Sequence, residues 1–234
     1  SQGAFSSHDV DEGSKLLLKT IAQNVDVGAS RSLLDVGCGV GVLGVALKKR
    51  HPELSACLVD RSIFAVALAE LNAETNGISA DVVPSIGFAA LRGDERFDLI
   101  VSNYPAKAGE PVIADFLCRL GAYLTPEGRA CVVFVAPLAD VVDAAVKRCK
   151  LEVLFRETTK GHFVLHLRGA GERAEDPLEP YIRNSGTASF AGFRYHVETV
   201  YGLPEFDTLS FRSELLLDSV PGTAPRSLLF VNPG

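Results

Sequence analysis

Apolar and polar positions along the first two thirds of the chain switch repeatedly between two periods. From Asp9 to Val25 the apolar residues Leu16, Leu17, Ile21 and Val25 recur at helical spacing, which predicts an amphipathic helix. The next apolar run, "RSLLDV", is short and continuous and leads into glycines, as expected of a strand buried on both faces. Val40 to Arg50 is helical in pattern, and "LSACLVD" predicts a second strand ending in Asp60. Ser62 then caps a helix that stops at Gly77. "ADVVP" and "RFDLIVSN" predict the third and fourth strands. A helix over "PVIADFLCRLGAYL", a turn at "TPEG" and a fifth strand at "RACVVFVA" follow. A further helix from about Leu138 to Cys149 leads to "LEVLFRET" and "GHFVLHLR", two strands joined by Thr159-Lys160-Gly161. This alternation predicts an α/β, Rossmann-like sheet, mostly parallel and covered on both faces, with an antiparallel pair closing it.

The pattern breaks at "GAGERAEDPLEP", Gly169 to Pro180, which is charged, contains Gly and Pro and has no period. Residues 1–168 therefore read as one domain and 169–186 as a linker. In 187–234, "TASFAGFRYHVETV" alternates as a β-ribbon turning near Ala191-Gly192. The tail repeats the start: "SKLLLKT…RSLLDVGCG" recurs as "SELLLDS…RSLLFVNPG", with helix, strand and terminal Gly in the same order. In that copy Phe230, Asn232 and Pro233 replace Asp35, Gly37 and Cys38. It reads as the start of a second, degenerate unit, and the chain as stopping inside it.

Composition narrows the functional classes. A formal net charge of −6 over 234 residues excludes a broadly basic nucleic-acid surface, although a local basic rim suffices for RNA. No apolar run approaches the ~20 residues of a membrane span, and no signal peptide opens the chain. The sequence contains no Met, so Ser1 reads as a processed or engineered terminus. Cys38, Cys57, Cys118, Cys131 and Cys149 are odd in number and lack CxxC spacing. They read as reduced, mostly buried thiols of a cytoplasmic protein, neither disulfides nor a metal site. "KKRH", Lys48 to His51, suits a solvated helix C-terminus, and His162 and His166 read as core or edge residues of a strand. No HExxH, P-loop or Ser/His/Asp order is present.

"LLDVGCGVGVLG", Leu33 to Gly44, carries two glycine fingerprints at once. Gly39, Gly41 and Gly44 spell the GxGxxG of a dinucleotide loop, and Asp35, Gly37, Gly39 and Gly41 spell the DxGxGxG of an S-adenosylmethionine loop. Glycines there let the backbone approach a ligand that a Cβ would hold off. A dinucleotide needs a helix N-terminus for its pyrophosphate. S-adenosylmethionine has no phosphate but carries an ammonium, for which an acid at the end of the first strand, Asp35, is well placed. Asp60, ending the second strand, suits the ribose hydroxyls of either cofactor. Asp35 therefore favours S-adenosylmethionine over a nicotinamide oxidoreductase.

"SNYPAKAG", Ser102 to Gly109, directly follows the fourth strand. The Asn103 amide oxygen and the carbonyl of Tyr104, before Pro105, can accept both hydrogens of an exocyclic amine and aim its lone pair at a methyl group. "FSSHDVDEGSKLLL", "LLDVGCGVGVLGVAL", "VDRSIFAVALAELNAETNG" and "FDLIVSNYPAKAG" together resemble the methyltransferase small domain family of class I enzymes. Bacterial ribosomal-RNA guanine-N2 methyltransferases are its best-known members. The resemblance runs from Phe5 to about Arg168. It implies a seven-stranded methyltransferase sheet holding S-adenosylmethionine through Asp35, Gly37, Gly39, Gly41 and Asp60, with Ser85 and Ile86 near the adenine and Asn103 beside the cofactor. It also implies pairs of domains, one catalytic and one degenerate, which fits the repeat. The chain departs from the family's NPPF: Tyr104 stands for the first Pro, Ala106 for the aromatic that stacks on the base, and Lys107, a candidate phosphate contact, where His is common. Base stacking is worth ~1–3 kcal/mol, so its loss weakens the placement of a purine. The function expected from the resemblance is methyl transfer to an amine nitrogen, an exocyclic base amine in RNA. The alternative is a degenerate module that binds the cofactor and only positions RNA.

Overall fold

The computed structural model describes residues 10–92, 94–171, 173, 178–190, 193–201, 211–219 and 227. It comprises two compact units, Ser1–Leu178 and Glu179–Gly234. In the first, strands β1 (Ser32–Val36), β2 (Ser55–Asp60), β3 (Asp81–Pro84), β4 (Phe97–Asn103), β5 (Leu124–Val135), β6 (Glu152–Thr158) and β7 (His162–Arg168) form one sheet in the order β3-β2-β1-β4-β5-β7-β6. The pairs from β3 across to β5 are parallel, and β7 is antiparallel to both β5 and β6. This is the mostly parallel sheet with a closing antiparallel pair that the alternation of periods predicts, and it has the seven strands that the family resemblance implies.

Burial on both faces explains the continuous apolar strands. Leu33, Leu99, Val101 and Val133 meet Leu17 and Ile21 of α1 (Glu12–Asn24), Leu43 and Leu47 of α2 (Val42–Arg50), and Ala69 of α3 (Ile63–Thr75). Their chain neighbours Leu34, Ile100 and Val132 face the other way, onto Ile113 and Phe116 of α4 (Glu110–Leu120) and Val142 of α5 (Ala139–Arg148). Caps behave as the residue types demand: the Asp11 side chain accepts from the Ser14 amide at α1, and Ser62 from the Ala65 amide at α3.

Three expectations meet differences. "TPEG" is not a free turn but the irregular start of β5: Phe97 lies opposite Leu124 and Leu99 opposite Arg129. Asp98 anchors this edge, accepting from the Thr125 hydroxyl at 2.9 Å and from the Arg31 and Ser32 amides. The five cysteines are not all reduced: Cys118 of α4 and Cys149, the C-cap of α5, form a disulfide across 31 residues, while Cys38, Cys57 and Cys131 are free. The two helices pack side by side on one face, which brings the sulfurs together and which spacing along the chain does not reveal. Thirdly, the start of the segment read as a linker lies on the sheet unit. The Arg173 guanidinium stacks over Tyr123 at 4.2 Å and donates to the Glu95 carbonyl, and a Cβ on Gly121 would strike the Ala170 backbone.

The second unit contains a ribbon of β8 (Ile182–Phe190) and β9 (Phe193–Val200), paired so that Phe190 faces Phe193, and helix α6 (Phe211–Ser219). β8 begins inside the segment read as linker. Helix α6 coincides with the helix of the sequence repeat. The repeat's "RSLL" strand and terminal glycine, apart from Ser227, and the "FSSHD" at the chain start lie outside the described residues.

Candidate active site

Strand order reverses between β1 and β4, so the loops after these strands diverge and leave a crevice at the sheet's C-terminal edge. Asp35, Asp60, Ser85 and Asn103 arrive there because they end, or directly follow, β1, β2, β3 and β4. Adjacent registers keep the edge level: Val36 lies opposite Val59, Asp60 opposite Pro84, and the Ser102 hydroxyl donates to the Val36 carbonyl at 2.7 Å.

The glycine loop divides its work. Gly37, Gly39 and Gly41 all have positive φ (70°, 56° and 86°), a conformation that side chains resist. A Cβ on Gly37 or Gly39 would meet nothing within 4 Å, so the backbone there borders open space. Gly41 and Gly44 are glycine for packing: a Cβ on Gly41 would approach Val45 at 3.1 Å, and one on Gly44 would strike Leu58 at 2.8 Å. Gly44, which belongs to the GxGxxG fingerprint alone, therefore reports close contact between α2 and β2, and Gly37, which belongs to the DxGxGxG fingerprint alone, lines the open cradle with Gly39.

Asp35 is 1 % exposed. One carboxylate oxygen accepts from the Gly44 amide at 2.8 Å, and the other has no partner among the described residues. Burial pushes its pKa up to about 7; the Gly44 amide pulls it down and the charge of Asp60 adds to the rise. A buried carboxyl with an orphaned oxygen, beside an open glycine cradle, fits a cationic ligand group. Asp60 braces the loop, accepting from the Gly39 amide at 2.9 Å and the Ser62 amide at 2.8 Å. Cys38, within the loop, is buried and its thiol pKa is driven far up by burial, so it is an inert filler. Beyond β3, the Ser85 hydroxyl donates to the Gly87 carbonyl and accepts from the Ala90 amide, shaping its own loop. Ile86, 37 % exposed, presents the apolar surface of that corner.

At the end of β4 the four motif residues separate. Tyr104 turns inward: it is buried, its ring 4.5 Å from Phe116 and 5.7 Å from Phe134, and its hydroxyl donates to the Val112 carbonyl. Its side chain thus lies in the core and does not take the place of the missing stacking aromatic. Pro105, Ala106 and Lys107 are exposed on the turn leading to α4. Asn103 is half-buried, and its amide nitrogen donates to the Asp11 carboxylate at 2.8 Å and the Ser14 hydroxyl at 3.0 Å. Its amide oxygen accepts no hydrogen bond from the described residues. Asp11 and Ser14 were not singled out from the sequence, although both stand in "DVDEGS", the stretch that carries part of the family resemblance. His162, at the start of β7, lies near them: a Cβ on Gly13 would come within 3.2 Å of its ring. His166 is a buried core residue bonded to the Thr20 hydroxyl. Among the described residues no group of three or more His, Cys, Asp or Glu could hold a metal ion, and no helix is long and apolar enough to cross a membrane.

The family model described as "Methyltransferase small domain" matches residues 1–159. The chain belongs to that family. Among curated relatives, "Ribosomal RNA small subunit methyltransferase C" of Psychromonas ingrahamii is 39% identical over 108 residues, 46% of this chain and 29% of the relative. The protein of the same name from Hahella chejuensis is 35% identical over 150 residues, 62% and 42% of the two chains. The chain thus spans less than half the length of the curated relatives it matches. Among solved structures, the T. thermophilus 16S rRNA N2 guanine methyltransferase in complex with AdoMet and guanosine is similar with a TM-score of 0.60. It is 25% identical, over 71% of this chain and 45% of that one. A ribosomal protein L11 methylase from Lactobacillus delbrueckii subsp. bulgaricus has a TM-score of 0.59 at 21% identity, over 68% and 79%. The open cradle, the orphaned Asp35 oxygen and the Asn103 amide all lie at the C-terminal ends of the neighbouring strands β1 and β4.

Proposed function

We propose that the chain is an S-adenosylmethionine-dependent methyltransferase acting on an exocyclic base amine of small-subunit ribosomal RNA. The observation that carries this reading is the Asn103 carboxamide, its nitrogen fixed by Asp11 and Ser14 and its oxygen accepting from no described residue, at the end of the strand next to that of the glycine cradle. The names of the relatives and the guanosine in the T. thermophilus complex support a guanine amine. When bound, S-adenosylmethionine supplies an electrophilic methyl group on sulfur. Asp35 would meet its ammonium, Asp60 its ribose hydroxyls, Gly37 and Gly39 its amino-acid end, and Ile86 an adenine face. The Asn103 oxygen and the Tyr104 carbonyl would accept the two amine hydrogens. That orients the lone pair for displacement and stabilises the positive charge developing on nitrogen. One amine proton then leaves to solvent. Ala106 gives the base no stacking partner, so orientation rests on these hydrogen bonds and on Lys107 at the phosphate backbone. Such a substrate places the work in the cytoplasm.

The test is incubation with radiolabelled S-adenosylmethionine and small ribosomal subunits from cells lacking N2-guanine methylation. Label is expected in 16S RNA, and Asn103→Ala is expected to reduce it at least 100-fold while S-adenosylhomocysteine still binds. Binding without label in subunits, naked RNA, protein or small-molecule pools would establish the alternative, a cofactor-binding module without catalysis.

A further inference from the structure

The first turn of α1 reaches the end of β4 with two acceptors and no bulk. Asp11 and Ser14 flank Gly13, and both bond the same atom, the Asn103 amide nitrogen. A carboxylate only accepts hydrogen bonds, so the nitrogen must face it and the oxygen must face away. The reversed amide would set two oxygens against each other. Asp11 is held in its charged form: burial works against this, but hydrogen bonds from Ser14, from Asn103 and from the Gly13 amide lower its pKa below the ordinary value. A side chain at Gly13 would crowd this cluster, since a Cβ would lie 3.1 Å from the Asp11 carboxylate, 3.2 Å from the His162 ring and 3.4 Å from the Asn103 nitrogen. The platform is rigid, because Leu17 and Ile21, one and two turns on, are buried in the core.

From this we infer that Asp11 and Ser14 are positioning residues: they fix which end of the Asn103 amide faces the methyl acceptor, and the Asp11 charge polarises that amide so that its oxygen accepts more strongly. Together they form a clamp. The inference rests on the proposed methyl transfer and adds residues from a different element, 89 and 92 positions away in sequence.

The test uses the whole chain and two variants. Asp11→Ser keeps a helix-capping side chain but is too short to reach Asn103, and Ser14→Ala removes the second acceptor; the two are also combined. Each single change is expected to lower kcat about 10-fold, and the pair about 100-fold. KM for the undermethylated subunits and affinity for S-adenosylhomocysteine should stay within about threefold. The readout independent of activity is the Asn103 side-chain amide in the nitrogen-15 spectrum, identified by its absence from Asn103→Asp. In the parent both protons should be shifted and protected from exchange, and in the double variant they should move to free-amide positions. Unmoved amide signals in the double variant would overturn the clamp, as would moved signals with unchanged kcat. A parent chain that labels no substrate overturns the functional reading instead, a result the amide spectrum tells apart.

Discussion

Asp35 is a carboxyl placed where water does not reach it, and its behaviour with pH follows. Its pKa rises from 3.8 in an unfolded chain to about 7 in the fold. Between those values the folded protein holds a proton that the unfolded chain releases, so this group's contribution to stability falls as pH rises from about 4 to about 7 and is level above. An ammonium beside the orphaned oxygen favours the charged form and draws the pKa back down. Binding of S-adenosylhomocysteine is therefore expected to release a proton and to tighten from pH 6 to pH 8, by up to about tenfold per unit below the pKa. Calorimetric titration in two buffers of different ionisation enthalpy measures both effects. Asp35→Asn should abolish the pH dependence and weaken binding at least tenfold; a parent affinity flat with pH would contradict the assignment. At this scale the positions of Asp35, Asp60 and the glycines were legible in the sequence, because they follow from the ends of neighbouring strands. Asp11 and Ser14 were not, because they act on Asn103 through a contact that only the fold creates. The place of the Tyr104 ring was equally hidden, because only packing shows that it faces Phe116.

The elements themselves were nearly all anticipated, because buried parallel strands and capped helices leave unambiguous local patterns. Two features were not. "TPEG" carries strong turn residues, yet Asp98 draws Thr125 into the sheet edge, and tertiary contact overrides the local preference. The α4–α5 disulfide depends on which helices share a face, information that lies in strand order and not in cysteine spacing. Its energetic weight can be measured. Closing a loop of 31 residues restricts the unfolded chain by about 3–4 kcal/mol on chain-entropy grounds. Reduction, or Cys118→Ser with Cys149→Ser, is expected to lower the free energy of unfolding in urea by about that amount. Identical curves with and without reductant would mean that the two sulfurs are not joined in solution.

Seen whole, the residues of the proposed site all belong to one unit. Both faces of the seven-stranded sheet are covered by helices that precede Leu178, and Arg173 ties the segment after β7 onto Tyr123. A chain ending at Leu178 is therefore expected to unfold in a single transition and to bind S-adenosylhomocysteine within about threefold of the full chain. A truncated protein that aggregates or loses binding would show that residues 179–234 contribute to the site. The negative net charge also belongs to this scale: the proposed RNA substrate would be met by local groups such as Lys107, not by a general field. The buried Tyr104 has the widest reach of all these features. Because its ring wedges between Phe116 and Phe134 while its chain neighbour Asn103 carries the amide of the proposed mechanism, the interior and the proposed site meet across one peptide bond. Close-packed interiors transmit changes of even a methylene. On the proposed mechanism, an evolutionary drift in core volume at Phe116 would become a drift in where the amine points, so selection for folding and selection for accuracy would act on the same few cubic ångströms.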